Sequence, residues 1–299
     1  MSILRDNVNL GPGELRNLIS KGITAAPGVF NGITAIMAER AGFRALYLSG
    51  SGIAGAMGLP DLSLTTLTEV AEEVRRITSV TRLPLIVDVD TGFGEALNVI
   101  RTVRLMESSG ASAVHIEDQE LPKKCGHLPG KRLVSEAEMV KKIIAAVESR
   151  KNKDFIIIAR TDARAVEGIE GAIRRAGIYV DAGADMIFPE ALESEDEFRI
   201  FAREVRAPLL ANMTEFGKSP LLSVSELEKL GYRLVIFPLT AFRASLLAAE
   251  NAYLELSRKG TQREFLNNLM TRKKFYEIIG YEDYEKDDME ISEKGSRII

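Results

Sequence analysis

Two carboxylates separated by one residue end a strongly apolar run of the chain. Strand geometry would point Asp88 and Asp90 to the same face, because strand side chains alternate. Two like charges at this spacing repel unless one carboxyl keeps its proton or both face a cation. Carboxylate oxygens suit Mg²⁺ or Mn²⁺, so the pair is a predicted metal site that Glu117 or Asp61 can join through bound water. For Asp90 alone, a helix cap over residues 92–95 is a competing interpretation.

A basic loop with glycine and proline carries the one cysteine of the chain. It runs Lys123-Lys124-Cys125-Gly126-His127-Leu128-Pro129-Gly130-Lys131, and we call it the cysteine loop. Its lysines and histidine are expected to lower the thiol pKa and make Cys125 reactive, while closure of the loop would exclude water during chemistry. The alternative is a small buried cysteine that packs as a hydrophobe, which the polar neighbours disfavour.

Three arginines are candidates for binding substrate carboxylates. A guanidinium binds a carboxylate through two parallel hydrogen bonds, and Arg160, Arg243 and Arg272 are the candidate residues. Arg160 has the best position, because it ends the β-like run Ile156-Ile157-Ile158-Ala159.

The segment Gly50-Ser51-Gly52-Ile53-Ala54-Gly55 fits the G-x-G-x-x-G spacing of dinucleotide-binding proteins. That motif requires a helix that begins at the glycines. Here Gly58, Pro60 and Asp61 follow, and helical periodicity resumes only near Leu67. The segment is therefore predicted to be a flexible active-site loop, and a nucleotide-binding dehydrogenase is kept as an alternative that cofactor titration would test.

The elements that must position these residues are eight short apolar runs with amphipathic segments between most of them. The runs are Ile23–Val29, Ala45–Ser49, Pro84–Asp88, Ala113–Glu117, Phe155–Arg160, Met186–Phe188, Leu209–Asn212 and Leu234–Phe237. Both faces of these runs are apolar, as in a parallel sheet covered by helices. Eight β/α repeats favour a closed (β/α)8 TIM-type barrel, although a doubly wound sheet also fits the count.

Unusual residues collect where these runs end, which is the active face of a barrel. They are Ser49, Asp88, Asp90, Glu117, Arg160, Asp162, Glu190, Asn212 and Arg243. Any one of them could simply mark where a strand meets solvent, but the amino ends of the runs carry no matching cluster.

Two helical segments, Ala241–Ser257 and Gln262–Ile279, follow the eighth run, and a polar tail, Tyr281–Ile299, ends the chain. We predict a single barrel domain over residues 1–299. Its core spans about residues 20–257, and C-terminal helices and tail occupy about residues 258–299.

Composition limits the possible functions. The chain has 299 residues, 45% hydrophobic and 27% charged, and a formal net charge of -4, the profile of an ordinary globular protein. The sequence has no basic patch that would predict nucleic-acid binding and no long apolar stretch that would predict a membrane span. Met1–Leu10 does not resemble a leader. A cytoplasmic enzyme is therefore expected. One cysteine cannot form an internal disulfide, and His115 and His127 with Cys125 are too few for a typical zinc cage.

Five segments together resemble the isocitrate lyase and phosphoenolpyruvate mutase superfamily, over about residues 27–281. They are Tyr47-Leu48-Ser49-Gly50-Ser51, Gly58-Leu59-Pro60-Asp61, Asp88-Val89-Asp90-Thr91-Gly92-Phe93-Gly94, His115-Ile116-Glu117-Asp118-Gln119 and Lys124-Cys125-Gly126-His127. The cysteine loop is the most specific of these. Mutases and phosphonopyruvate hydrolases of the superfamily carry a different loop without the cysteine, so the resemblance favours a lyase.

The resemblance implies a role for each matching residue. Asp88 and Asp90 would hold Mg²⁺, or Mn²⁺, with Asp61 and Glu117 acting through water, and Cys125 would be the catalytic acid. Tyr47 is a possible base, for which a core tyrosine is an equal alternative. The implied substrate contacts are Ser49, Gly50, Ser51, Gly126, His127, Arg160, Glu190, Asn212, Met213, Thr214, Arg243 and Arg272. A homotetramer that exchanges C-terminal helices between neighbours is also implied.

Length selects among the lyases, because isocitrate lyases are usually much longer than 299 residues and methylisocitrate lyases are compact. The expected reaction is a Mg²⁺-dependent, retro-aldol-type cleavage of 2-methylisocitrate to pyruvate and succinate, in the methylcitrate cycle of propionate catabolism. Phe188, Ile236 and Pro238 could line an apolar pocket for the methyl group. The alternatives are isocitrate or dual-specificity cleavage that gives glyoxylate, and an oxaloacetate or 2,3-dimethylmalate enzyme. A barrel without catalytic activity that serves as an assembly subunit would need no metal.

Overall fold

The computed structural model describes residues 9–298, so Met1–Val8 and Ile299, and with them most of the segment tested for a leader, lie outside the described residues. The described chain divides into two compact units, one over Asn9–Phe242 and one from Arg243 onward. The prediction of a single domain with a core over about residues 20–257 stays a prediction.

The first unit contains eight parallel strands. They are β1 Thr24–Val29, β2 Leu46–Leu48, β3 Leu85–Asp88, β4 Ala113–Glu117, β5 Ile156–Thr161, β6 Met186–Pro189, β7 Leu210–Asn212 and β8 Leu234–Phe237. Each strand pairs with the next one along the chain from β1 to β6, and β1 pairs with β8, which pairs with β7. A parallel bridge between Ile187 and Leu209 joins β6 to β7. The sheet therefore closes on itself, which confirms the predicted (β/α)8 barrel and excludes the doubly wound sheet.

Helices alternate with the strands of the barrel. They are α1 Gly11–Lys21, α2 Gly32–Arg40, α3 Gly50–Ala56, α4 Leu67–Thr78, α5 Ala96–Ser108, α6 Glu136–Ser149, α7 Arg164–Asp181, α8 Glu195–Glu204 and α9 Val224–Lys229. Several begin at residues whose side chains bind the free amides of the first turn; Thr66 before α4 and Ser135 before α6 both form capping boxes.

Alternation along the strands divides the core into two layers. One set of side chains fills the barrel and includes Tyr47, Ile86, Ile158 and Phe188, while the other set packs between the strands and the helices. Leu15 of α1 is fully buried in the interior set. Because every interior position near the carboxyl ends of the strands faces the same space, polar residues there must lie close together.

The Gly50–Gly55 segment forms α3 and is not a flexible loop, so that prediction was wrong. Glycine costs about 1 kcal/mol relative to alanine in a helix, but packing decides here. A Cβ on Gly55 would lie 2.9 Å from the ring of Phe242, and one on Gly50 would lie 3.0 Å from Asp88 Oδ2. The glycines thus allow α3 to pack closely, and the closed barrel does not provide the fold in which the dinucleotide motif works.

After β8 the chain forms α10 Thr240–Lys259, a 3-10 turn at Leu266–Asn268, α11 Arg272–Ile279 and α12 Tyr281–Ser296. The predicted helix over residues 262–279 is therefore interrupted, and most of the predicted polar tail is helical. Gly280, with a φ of 70°, separates the last two helices. Within residues 9–298, no helix has the length and apolar character needed to cross a membrane.

Candidate active site

On four neighbouring strands, the side chains that face the barrel interior form a row that begins with an apolar residue and ends with a carboxylate at or just after the carboxyl end of the strand. The rows are Ile86-Asp88-Asp90, Ala113-His115-Glu117, Ile158-Arg160-Asp162 and Met186-Phe188-Glu190. Within the strands the members of each row alternate and therefore share the interior face. The last member of three rows lies just beyond its strand: Asp90, Asp162 and Glu190. The predicted site residues on these strands are thus brought together by the closure of the barrel.

Asp88 and Asp90 are both buried and accept hydrogen bonds from neighbouring residues. Asp88 Oδ2 accepts from Gly50 N at 3.1 Å, and Asp88 Oδ1 accepts from Asp90 N at 3.0 Å. Asp90 Oδ2 accepts from Ser63 Oγ at 2.9 Å. Asp90 does not cap a helix, because α5 begins after Glu95.

Lys123 of the cysteine loop lies among these carboxylates. Its Nζ is 2.5 Å from Asp61 Oδ1 and 3.0 Å from Asp90 Oδ1. Burial alone would lower the pKa of Lys123, but Glu117, Asp90 and Asp88 raise it well above its ordinary value. The ammonium is therefore charged at neutral pH, and it ties the loop to the β3 end of the barrel.

The same carboxylates are the candidate metal ligands. Among residues 9–298, no three Asp, Glu, His or Cys side chains converge into a ready metal cage. Glu117 is fully buried, however, and neither of its carboxylate oxygens accepts a hydrogen bond from a described residue, although Arg160 Nε lies 3.2 Å from Oε2. Oxygen atoms with unused capacity, which include Asp90 Oδ1, suit Mg²⁺, and the assignment of Asp88 and Asp90 as its direct ligands stays a prediction.

Tyr47 and His115 form a buried pair on the floor of the site. Tyr47 Oη lies 2.9 Å from His115 Nε2, which is also 3.6 Å from Asp88 Oδ1. Burial lowers the pKa of His115 to about 4 and raises that of Tyr47 well above its usual value. Both side chains are therefore neutral at pH 7.

The cysteine loop packs directly on the barrel. A Cβ on Gly126 would lie 2.3 Å from Glu190 Cγ and 2.7 Å from an Arg160 nitrogen, so the backbone here touches both side chains. His127 Nε2 lies 2.9 Å from Glu190 Oε1, and His127 Nδ1 accepts from Lys218 N at 2.9 Å. The loop thus covers the carboxyl ends of the strands in a closed arrangement.

Cys125 is half-buried in this closed loop, and burial raises the pKa of its thiol. The expectation that Lys and His neighbours would lower it was wrong, because removal of the thiolate from water outweighs the nearby positive charge. A protonated thiol is a poor nucleophile at neutral pH and a suitable proton donor.

Arg160 is the central cation of the site. Its guanidinium lies 3.0 Å from Asp162, 3.2 Å from Glu117 and 3.3 Å from Glu190, and it sits 5.1 Å from the ring centroid of Phe188. Burial opposes its charge, but these carboxylates raise the pKa of Arg160 well above its ordinary value. The pKa of the buried Glu190 is held well below its usual range by Arg160 and His127.

Some of the other residues predicted to contact substrate lie at the site, and some lie elsewhere. Ser49 precedes α3 and is buried, and Asn212 Nδ2 lies 3.3 Å from both carboxylate oxygens of Glu190. The side chain of Met213 packs in the layer between strands and helices, where its sulfur accepts from Leu222 N. Ser51 is the second residue of α3, and Thr214 lies near His127, since both would contact a Cβ on Gly217. Arg243 and Arg272 belong to the second unit, in α10 and α11, and their roles stay predictions.

Ser63 and His115 received no site role from the sequence. The sequence placed Asp162 at the active face, and Lys123 and Lys131 in the cysteine loop, without predicting their partners. His115 could have been found by extending the period-two rule back from Glu117 along β4. The partners of Ser63, Lys123 and Lys131 depend on how loops cross the barrel mouth, which no local pattern shows.

Comparison with known proteins agrees with this geometry. The family model described as phosphoenolpyruvate phosphomutase matches residues 15–257. A 2-methylisocitrate lyase of Aeropyrum pernix is 59% identical over 95% of this chain and 92% of its own length. The 2-methylisocitrate lyase of Escherichia coli is 50% identical over 87% of this chain and 88% of its own.

Solved structures show the same fold. A 2,3-dimethylmalate lyase superposes with a TM-score of 0.88 at 36% identity, over 94% of this chain and 95% of the other. A phosphonopyruvate hydrolase in complex with oxalate and Mg²⁺ has a TM-score of 0.84 at 31% identity, over 93% of this chain and 98% of the other. The chain therefore belongs to the phosphoenolpyruvate mutase/isocitrate lyase superfamily and, within it, to the family of the 2-methylisocitrate lyases.

Proposed function

We propose that this lyase cleaves 2-methylisocitrate to pyruvate and succinate, with Mg²⁺ as its cofactor. The observation that carries the proposal is the closed cysteine loop, whose Gly126 lies against Arg160 and Glu190. A thiol is thereby held over a site of carboxylates and one guanidinium, and the relatives at 50–59% identity are named for this reaction.

The charge balance of the site supports a divalent cation. Carboxylates outnumber the cationic side chains around Arg160 and Lys123, and a tricarboxylate substrate would add further negative charge. Asp88 and Asp90, with Asp61 and Glu117 through water, would hold Mg²⁺, or Mn²⁺ in its place. The bound cation would stabilise negative charge on the substrate hydroxyl oxygen and the adjacent carboxylate.

Residues of the chain would carry out the proton transfers and bind the substrate. A base removes the hydroxyl proton, the hydroxyl carbon becomes the carbonyl of pyruvate, and the broken carbon-carbon bond leaves its electron pair on the succinate fragment. Cys125 donates its proton to that carbon. Arg160 binds a substrate carboxylate, with Ser49, Gly50, Ser51, His127, Asn212 and Thr214 around it.

Tyr47 is the proposed base, acting through His115. A neutral phenol accepts the hydroxyl proton only if it passes its own proton on, and His115 Nε2 at 2.9 Å is placed to receive it. This requires the tautomer in which Nδ1 carries the hydrogen.

The methyl group requires an apolar surface, for which Phe188 and Ile236 of the interior layer, with Pro238 after β8, are the proposed lining. Phe188 is fully buried and packs edge-on against His115 at 5.4 Å between ring centroids. One methyl group discriminates by only about 1 to 3 kcal/mol, so slower cleavage of isocitrate to glyoxylate is the second candidate activity.

We also propose a homotetramer in which C-terminal helices are exchanged. The second unit carries large exposed apolar side chains at Leu247, Tyr253, Leu266, Tyr284 and Met289, each at least 57% exposed, and surfaces of this kind mark protein contacts. Light scattering is expected to give four times the 32.9 kDa chain mass. A cytoplasmic location, a place in propionate catabolism and the absence of a nucleic-acid partner stay predictions.

The direct test offers 2-methylisocitrate and isocitrate separately and measures release of pyruvate and glyoxylate. Activity is expected to disappear with a chelator and return with Mg²⁺, and Cys125→Ser is expected to lose most of it. Release of neither keto acid, or near-wild-type turnover by Cys125→Ser, would contradict the proposal.

A further inference from the structure

A second ionic network lies beside Arg160 and includes two residues that no step above uses. Lys131 ends the cysteine loop with a side chain that is 1% exposed, and the Asp162 side chain is fully buried. Lys131 Nζ lies 3.0 Å from Asp162 Oδ1 and also donates to the main-chain carbonyl of Gly126. Removal of an ammonium from water to this extent is costly unless hydrogen-bonded partners compensate for the lost hydration.

Asp162 binds Arg160 with the same carboxylate. Its Oδ2 accepts from Arg160 Nε at 3.0 Å and its Oδ1 accepts from Arg160 Nη2 at 3.2 Å. One carboxylate therefore joins the central cation of the site to the cation that holds the loop.

Asp162 itself is fixed to the barrel. Its backbone N–H donates to Asp118 Oδ1 at 2.9 Å, and Asp118 Oδ2 accepts from Thr161 Oγ1 and Tyr179 Oη, each at 2.8 Å. All four residues belong to strands, helices or the turns that directly follow strands. Lys131 is the member of this network that lies in a loop without regular secondary structure. If the cysteine loop moves, the contact between Lys131 and Asp162 is therefore the one that breaks.

We propose that Lys131 and Asp162 are positioning residues. Their ion pair, which we call the latch, holds the cysteine loop closed and couples the position of the loop to that of the Arg160 guanidinium. Lys131 holds the carbonyl of Gly126, the residue that follows the thiol. The latch therefore sets the position of Cys125 relative to Arg160 without touching the reacting atoms. Its catalytic consequence rests on the proposed lyase function, but the loop closure itself does not.

The single cysteine of the chain allows a test without substrate or metal. Labelling of Cys125 in the full-length protein with 5,5′-dithiobis(2-nitrobenzoic acid) at pH 8 measures how accessible the thiol is, and a loop that opens more often exposes the half-buried thiol more fully. Lys131→Met is expected to accelerate labelling at least about tenfold, as when a charge-assisted hydrogen bond that favours the closed state is lost. Removal of a nearby cation raises the thiol pKa and slows labelling, so acceleration cannot come from the charge change. An unchanged or slower rate would overturn the latch.

Arg132→Met is the matched control. Arg132 follows Lys131 directly, is 72% exposed and pairs with Glu120 at the surface, so this variant is expected to label at the wild-type rate. Equal acceleration in Arg132→Met would overturn the assignment to Lys131.

Hydrogen exchange covers the possibility that Lys131→Met does not fold. Asp162→Asn keeps the shape of the side chain, and amide exchange of residues 123–131 does not depend on the thiol pKa. Exchange in this segment is expected to be about tenfold faster in Asp162→Asn than in the wild type, and wild-type exchange would overturn the latch.

Turnover of 2-methylisocitrate separates the two proposals. Lys131→Met is expected to lower kcat/KM at least about tenfold, with a fall in kcat that exceeds any rise in KM. Absence of turnover in the wild type would refute the lyase and leave the labelling test standing. Wild-type loop opening in both latch variants would refute the latch alone.

Discussion

Tyr47 Oη and His115 Nε2 lie 2.9 Å apart on the floor of the barrel, and both side chains are buried. Their rings stack at 15° with 5.8 Å between centroids. Burial keeps both groups neutral at pH 7, so the resting contact is a hydrogen bond between uncharged groups, and His115 becomes charged only when Tyr47 takes the proton of the substrate hydroxyl.

The first prediction concerns this contact. Tyr47→Phe removes the hydroxyl and keeps the ring, so kcat is expected to fall about 10²- to 10⁴-fold, the usual contribution of a general base, with a smaller change in KM. Steady-state kinetics with 2-methylisocitrate measure both. Near-wild-type kcat would remove Tyr47 from the mechanism.

Tyr232→Phe is the matched control for that change. Tyr232 is fully buried between strands and helices, and its hydroxyl donates to the Phe198 carbonyl at 3.3 Å. Loss of this hydrogen bond is expected to lower the free energy of unfolding by about 1 kcal/mol and to leave kcat unchanged.

The second prediction concerns the pH dependence of Cys125. Iodoacetamide reacts with the thiolate, and burial raises the pKa of this thiol. A raised pKa means that less thiolate is present at each pH, so the alkylation rate is expected to rise through pH 9 with a midpoint above the ordinary value of about 8.5. A midpoint below that value would show that the cations of the loop outweigh burial after all.

The third prediction concerns Lys123. Lys123→Met removes the ammonium that lies 2.5 Å from Asp61 and 3.0 Å from Asp90, which leaves the carboxylates without that compensation. Added Mg²⁺ is expected to raise the melting temperature more in this variant than in the wild type, because the carboxylates then gain more from a cation. Thermal unfolding with and without Mg²⁺ measures the difference.

Lys141→Met is the control for Lys123. Lys141 is 62% exposed and lies 3.5 Å from Glu95, so its loss is expected to leave the Mg²⁺ effect unchanged. Equal Mg²⁺ effects in all three proteins would mean that Lys123 and the metal do not share carboxylates.

The fourth prediction concerns closure of the cysteine loop. Gly126→Ala places a methyl group 2.3 Å from Glu190 Cγ, so the loop is expected to stay open and kcat/KM to fall on the order of 10²-fold, as for a displaced catalytic group. The melting temperature is expected to change little, because an open loop relieves the clash.

Gly177→Ala is the matched control for Gly126. Gly177 lies within α7, and a Cβ there would meet no described atom within 4 Å beyond its immediate surroundings. Full activity is expected, with a small gain in stability from the better helix former. Full activity in Gly126→Ala would contradict the closed arrangement.

Local patterns were sufficient for the strands and for part of the site. Asp88 and Arg160 could be placed at the same rim because each ends an apolar run. Asp90 does lie beside Asp88, but it follows β3 with a φ of 48°, so the turn after the strand places it there and strand alternation does not. The residues around α3 show where such patterns fail. Glycines there disfavour a helix locally, but close packing against Phe242 outweighs that preference.

The eight-fold β/α repeat, the carboxylate pair and the thiol on a basic loop could be predicted, since each depends on residues that are near neighbours in the chain. The protonation and the pairing of those groups depend on contacts between distant segments. The thiol pKa depends on how far the closed loop removes Cys125 from water. Lys131 meets Asp162 across 31 residues, and such a contact arises from barrel closure and has no local pattern.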